Sequence, residues 1–373
     1  MEIAEHDESK CYPDTVATAH ITDDPEQVYK EKAQKKLENF QIHVKERFRA
    51  LIARSDPLSL SWIRQLFKVF LSCLKEFKEL LDHNGRDLKR GVRNRLISPC
   101  VFICLRSLEL LNGIRDGLLY VEEWGGEVLK MLLLLCTPNV GRPQFDKARN
   151  ALNRLSISIQ NEKESNWALA DSMEENEGNL NLEPARRFSS RVSRMWSASM
   201  QLKLLRTSLF LPTLGDNAVT NGIADSAFTM GCVQFTVLFC LVAAVPCQGR
   251  RIDASFFEEH MSPYRWYEPL HSIWKKIYEE ARKAENLYCC GLLNEVCLIE
   301  QCTRDLSNLI NSVEYPLTQE NREERAQVVK KLRNIDAALE DGLEPLDEEL
   351  KDGWSKIASF RIEVENWKNW LHG

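Results

Sequence analysis

The chain has 373 residues, of which 44% are hydrophobic and 28% are charged, so it is long enough and apolar enough to bury a large globular core. Its formal net charge of −6 lies outside the strongly basic range that is typical of dedicated nucleic-acid binders. Glycine (16) and proline (13) are scarce, which disfavours a turn-rich sandwich or barrel and favours long helices.

The N-terminal segment 1–30 is polar and acidic and has no hydrophobic periodicity, so we expect it to be disordered. It has neither the basic start and apolar run of a secretory signal nor the acid-poor composition of a transit peptide. The twelve cysteines lie mostly within apolar stretches, as the reduced and buried thiols of cytosolic proteins do. We therefore expect a cytoplasmic protein that is not secreted, with membrane association left open.

Residues 31–160 are predicted to form an N-terminal helical half. Hydrophobic residues recur there at steps of three and four, which is the spacing of amphipathic helices. The stretch 128–135 is almost wholly apolar and is expected near the centre of a bundle. The predicted helical stretches cover 37–51, 60–81, 101–118 and 128–135, followed by a helix that reaches about residue 159.

An acidic, Asn-rich stretch at 161–184 is predicted to be a flexible linker. Residues 185–373 are then expected to form a C-terminal helical half that packs on the first. We find no internal repeat of fixed period. The predicted fold class is all-α: a multi-helix bundle with long amphipathic helices and one very apolar helix, either central or membrane-spanning.

That apolar segment is 226–249, which contains no charged residue. About twenty apolar residues are enough to span a bilayer core, but a central helix of a soluble bundle is equally apolar on all sides. Arg250 and Arg251 would hold the C-terminal side in the cytosol, which would force the N-terminal half across the membrane without a signal. This topology favours a buried core helix over a membrane span.

The sequence contains no GxGxxG or Walker-type phosphate loop, no GxSxG elbow, no HExxH and no CxxC pair. We therefore predict no catalytic, cofactor or metal site, no small-molecule substrate and no enzymatic activity. An enzyme whose site is assembled from dispersed residues is the remote alternative. Four clustered cysteines, Cys289, Cys290, Cys297 and Cys302, most simply indicate helix packing, with metal or redox chemistry as the alternative. Core packing likewise accounts best for Cys100 and Cys104.

Immediately after the acidic linker, the segment 186–206 is basic and carries an apolar stripe. This face is suited to anionic lipid or to a protein partner, although a solvated face is the simplest interpretation. Arginines flank serines in the form that basic-directed kinases select, and phosphorylation would add about two negative charges per site. The candidate basic face comprises Arg186, Arg187, Arg191, Arg194, Lys203 and Arg206, and the candidate phosphosites are Ser189, Ser190 and Ser193.

Six stretches together resemble, in this order, the plant ROH family, whose members are also called BYPASS-like proteins. The resemblance extends over about residues 37–365 and includes Trp62 and Trp196. The stretches are FQIHVKERF (40–48), LSLSWIRQLFKVFLSCLKEFK (58–78), SRMWSASMQL (193–202), TVLFCLVAAVPCQGR (236–250), CGLLNEVCLIE (290–300) and DGLEPLDEELKDGW (341–354).

The resemblance implies a non-enzymatic plant regulatory or adaptor protein. It also implies binding to the exocyst, through an Exo70-type subunit, and to 14-3-3 proteins, with roles in secretion, growth or stress signalling. The arginine-flanked residues Ser189, Ser190 and Ser193 would then be the 14-3-3 contact. The family also implies an alternative, a single-pass membrane regulator of developmental signalling anchored by 226–249.

Overall fold

The computed structural model describes residues 25–54, 56–84, 90–137, 140–174, 196–250, 261–283 and 289–366. Within these ranges the chain forms helices and no strand, which confirms the predicted all-α fold class. The helices are α1 (Pro25–Ile52), α2 (Leu60–Asn84), α3 (Arg90–Leu135), α4 (Arg142–Glu174), α5 (Ala198–Thr207), α6 (Leu214–Thr220), α7 (Ile223–Ala244), α8 (Tyr267–Ala281), α9 (Asn294–Ser312) and α10 (Gln319–Asn366).

Two helix boundaries differ from the sequence prediction. Helix α1 begins at Pro25, before the expected boundary at 30, and α4 continues to Glu174, into the stretch expected to be a linker. An ion pair between Lys163 Nζ and Glu300 Oε2 (2.6 Å) joins this extension to α9. Such a partner lies far away in the chain, so local composition does not reveal it. The remaining parts of the two segments, 1–24 and 175–184, lie outside the described residues.

Helix α2 begins where two side chains satisfy its free backbone amides. Ser59 Oγ accepts a hydrogen bond from the Trp62 amide (3.2 Å), and the Glu295 carboxylate on α9 accepts one from the Leu60 amide (3.2 Å). Burial raises the pKa of Glu295. The start of α2 is therefore fixed both by its own sequence and by a residue of the C-terminal half.

Helix α10 packs against α2, α3 and α9 and so joins the C-terminal half to the N-terminal half. Its glycines permit close approach: a Cβ added at Gly353 would lie 2.3 Å from Phe67 Cζ on α2. Ion pairs also join α10 to its neighbours. Arg64 Nη2 on α2 pairs with Glu349 Oε1 (2.8 Å), and Arg115 Nε on α3 pairs with Asp347 Oδ1 (2.7 Å).

Helix α7 contains most of the charge-free segment and lies at the centre of the bundle. Helices α1, α2, α3, α5, α6 and α8 contact it, and every residue from 228 to 247 is buried. Two of its buried polar side chains are paired inside the protein: Gln234 Nε2 donates to Ser107 Oγ (2.6 Å), and Thr229 Oγ1 accepts from Trp266 Nε1 (2.9 Å).

By length and composition, α7 and residues Asn94–Leu135 of α3 are both sufficient to cross a membrane. In this fold, however, α7 contacts protein along its whole apolar surface, which is the environment expected of a core helix. The residues of α3 are instead buried on one face only.

Candidate functional surfaces

Only part of the predicted basic face lies within the described residues. Lys203 is exposed and Arg206 is half-buried on α5. The candidate phosphosites Ser189, Ser190 and Ser193, together with Arg186, Arg187, Arg191 and Arg194, lie outside the described residues, so these predictions remain untested.

The described part of the chain resumes at Trp196, whose indole ring packs against α3. A Cβ added at Gly113 of α3 would lie 2.1 Å from Trp196 Cη2, so the indole ring occupies the space that a side chain at this position would take. The next residues bond to the loop after α7: the Ala198 amide donates to the Gln248 carbonyl (3.0 Å) and the Ser199 amide to the Gly249 carbonyl (3.2 Å). These contacts fix the chain that leads into α5.

An exposed group of large apolar side chains follows α5, and we call it the apolar rim. Exposed fractions of these side chains reach 91% at Leu214, and the rim comprises Phe210, Leu211, Leu214 and Val219. A capping box between Thr213 and Asp216 begins α6 and holds the rim in place. This surface is not among those predicted from the sequence. The available signal was the uncharged run 207–215, which Pro212 keeps out of a helix.

A second feature is a group of hydrogen bonds at the C-terminus of α7, where the last carbonyls of the helix need partners. The Leu292 and Leu293 amides donate to the Ala243 and Ala244 carbonyls (both 2.9 Å). Arg250 Nη1 also donates to the Ala243 carbonyl (2.8 Å). Any side chain at position 291 would collide with this backbone, because a Cβ there would lie 2.2 Å from the Ala244 oxygen.

The same Arg250 reaches the clustered cysteines, since its Nη2 donates to the Cys289 carbonyl (2.6 Å) and lies 3.8 Å from Cys289 Sγ. Cys297 Sγ donates to the Gly291 carbonyl (3.6 Å), which places a second thiol at this loop. Among the residues that the structure describes, no three His, Cys, Asp or Glu side chains converge in a way that could hold a metal ion. Cys104 is buried and Cys100 is half-buried, and burial raises the pKa of both thiols, as expected for residues that serve packing.

A surface groove of about 600 Å³ runs along α8. Four rings stack along this helix, with Tyr267 on His271 (5.2 Å between centroids), His271 on Trp274 (5.9 Å) and Trp274 on Tyr278 (5.4 Å). Burial is the main cause that lowers the pKa of His271, and the positive charge of Lys275 lowers it further. The groove offers aromatic and charged contact area on an open helix face.

The described residues define the chain as an all-α protein built around one hydrophobic core. The chain belongs to the ROH1-like family, whose model matches residues 14–367. The family is described as "Protein ROH1-like", a description that names no reaction, and membership classes the chain as a plant regulatory protein.

Two relatives come from Arabidopsis thaliana. The chain is 31% identical to Protein ROH1D over 356 residues, covering 88% of this chain and 87% of that protein. It is 25% identical to Protein ROH1A over 380 residues, covering 90% and 91%. No solved structure matches the chain.

Proposed function

We propose that the protein is a non-enzymatic adaptor that binds the exocyst through an Exo70-type subunit and serves secretion, growth or stress signalling in plants. The observation that carries this proposal is the apolar rim. Leu214 is 91% exposed, the largest exposed fraction of any large apolar side chain that the structure describes, and the nearby Phe210 is 48% exposed. Contiguous exposed apolar side chains are typical of surfaces that bind other macromolecules.

The chemistry around the rim favours a helical protein partner. Lys203 and Arg206 on α5 come directly before the rim in the chain, so the described part of the basic face adjoins the apolar side chains in sequence. A partner helix with an apolar face and acidic flanks would match both features.

The serines of the preceding segment would provide a second, regulated contact. Phosphorylation of Ser189, Ser190 or Ser193 would place a doubly charged group among four arginines, and 14-3-3 proteins bind motifs of this chemistry. We propose that 14-3-3 binding at this contact depends on the phosphorylation state of the adaptor. The rim itself needs no modification to bind.

We further propose that the protein works in the cytoplasm and reaches membranes through its partners and its basic face. The enclosure of α7 supports this over a single membrane pass, because a span would have to give up its contacts with six helices. Carbonate extraction of tissue membranes should release the protein completely. Retention in the membrane pellet would favour the single-pass alternative instead.

The test is direct binding of the purified full-length chain to a purified exocyst subunit of this type, measured by calorimetry. Leu214→Ser and Phe210→Ser should weaken binding at least tenfold, whereas Leu133→Ser is the matched control, since Leu133 is 60% exposed on α3 outside the rim. Equal affinities for all variants would refute the rim as the binding surface. Binding of the wild type only to vesicles containing anionic lipid would replace the protein partner with a membrane.

A further inference from the structure

The thiols of Cys289 and Cys297 form a pair that the proposed adaptor function does not use. Both thiols lie at the loop before α9 and are partly exposed: Cys289 Sγ is 3.8 Å from Arg250 Nη2, and Cys297 Sγ donates to the Gly291 carbonyl (3.6 Å). The other two cysteines of the cluster, Cys290 and Cys302, are buried. The pair therefore combines placement at one loop with access to small molecules.

The charges around the pair favour one thiolate and one thiol. The hydrogen bond from Cys297 holds the pKa of Cys289 below its ordinary value; burial opposes this shift, and the Arg250 guanidinium adds to it. The same hydrogen bond raises the pKa of Cys297. The negative charge of Glu300 raises the pKa of Cys289 and so opposes the thiolate. Its carboxylate, however, binds Lys163 Nζ (2.6 Å) and the Cys290 amide (2.9 Å).

We propose that Cys289 and Cys297 form a peroxide-reactive modification site. The Cys289 thiolate attacks a hydroperoxide, the S–O bond forms as the O–O bond breaks, and the peroxide leaves as water or an alcohol after taking a proton. The Cys297 sulfur then attacks the Cys289 sulfenic acid, the S–S bond forms, and the oxygen leaves as water with the Cys297 proton. The two thiols lose two electrons and two protons in total, which reduce one peroxide.

The geometry supplies what each step needs. Arg250 fixes the Cys289 backbone carbonyl and lies beside its sulfur, so the attacking group is held in a defined place. Cys297 Sγ donates to the carbonyl of Gly291 (3.6 Å), two residues after Cys289, so the resolving thiol lies at the same loop. A partly exposed thiolate with a neighbouring resolving thiol is the arrangement found in redox-sensing cysteines.

The experiment uses the full-length chain, reduced and then titrated with hydrogen peroxide. Remaining thiols are alkylated with iodoacetamide, and the protein is cut after glutamate. Cleavage at Glu295 and Glu300 separates the peptide that contains Cys289 and Cys290 from those that contain Cys297 and Cys302. Mass spectrometry then shows which peptides are joined by a disulfide and which sulfur carries the link.

Within the wild type, Cys136 is the internal control because its thiol is exposed but lies outside the cluster. We expect Cys289 to be oxidised about tenfold faster than Cys136, since thiolate content rather than exposure sets the rate. The product should link Cys289 to Cys297 and be reversed by dithiothreitol. Oxidation of Cys136 at an equal or greater rate would overturn the proposal, as would a link to Cys302.

Two variants separate the roles of the pair. Cys297→Ser should leave a sulfenic acid on Cys289 that dimedone labels, whereas Cys289→Ser should abolish both labelling and the disulfide. Cys302→Ser is the matched control in the same helix and should behave as the wild type, because burial raises the pKa of Cys302 to about 11. Dimedone labelling of neither cysteine in the Cys297→Ser protein would also overturn the proposal.

Discussion

Replacing Leu241 with alanine tests whether α7 is enclosed by protein. Leu241 is fully buried in the last turn of the central helix, and the change removes three carbon atoms from its packed surroundings. At about 0.8 kcal/mol per buried methylene, the lost transfer free energy alone is about 2.4 kcal/mol. The cavity left behind adds to this, so we expect a destabilisation of about 3–4 kcal/mol, within the range of about 2–5 kcal/mol for buried leucines.

The assay is urea-induced unfolding of the purified chain in detergent-free buffer, followed by tryptophan fluorescence and far-ultraviolet circular dichroism. Leu214→Ala is the matched control, since it is the same substitution at a side chain that is 91% exposed, and we expect its free energy of unfolding to change by less than about 0.5 kcal/mol. Equal urea midpoints for Leu241→Ala and the wild type would refute the description of α7 as the packed centre of the bundle.

Three further substitutions test other parts of the core. Ser107→Ala removes the partner of the buried Gln234 amide (2.6 Å) and should lower the free energy of unfolding by about 1–3 kcal/mol, measured by urea denaturation. Gly353→Ala places a Cβ against an aromatic ring of α2 and should lower the melting temperature through an overpacking cost of about 1–3 kcal/mol; an unchanged temperature would contradict the close approach of α10. Glu295→Gln tests a pH effect: burial raises the pKa of Glu295 in the folded protein, so the stability that this group contributes is present at low pH and is lost as pH rises through that pKa. The glutamine does not titrate, so the variant should gain stability relative to the wild type as pH rises above the ordinary pKa of glutamate, and a difference in urea midpoint that does not change with pH would contradict this.

The candidate surfaces were only partly predictable from the sequence. The arginine and serine pattern of 186–194 is a local motif and was recognised directly. The apolar rim was missed because an apolar residue in a short uncharged run is buried in most proteins, and only the packing of its neighbours leaves Leu214 outside. The cluster of cysteines was noticed, but adjacent positions do not show which thiols meet.

The sequence by itself determined that the protein is helical and which side chains form the core, because helix periodicity and hydrophobic burial follow from neighbours three and four residues apart. The tertiary structure alone decided the surroundings of α7, the extension of α4 to Glu174 and the meeting of Arg250 with Cys289. Each of these depends on contacts between residues far apart in the chain: Gln234 meets Ser107, Lys163 meets Glu300, and the loop at 289 closes over the end of α7. Local patterns carry no information about such partners, since the free energy that selects them arises only when the helices pack together.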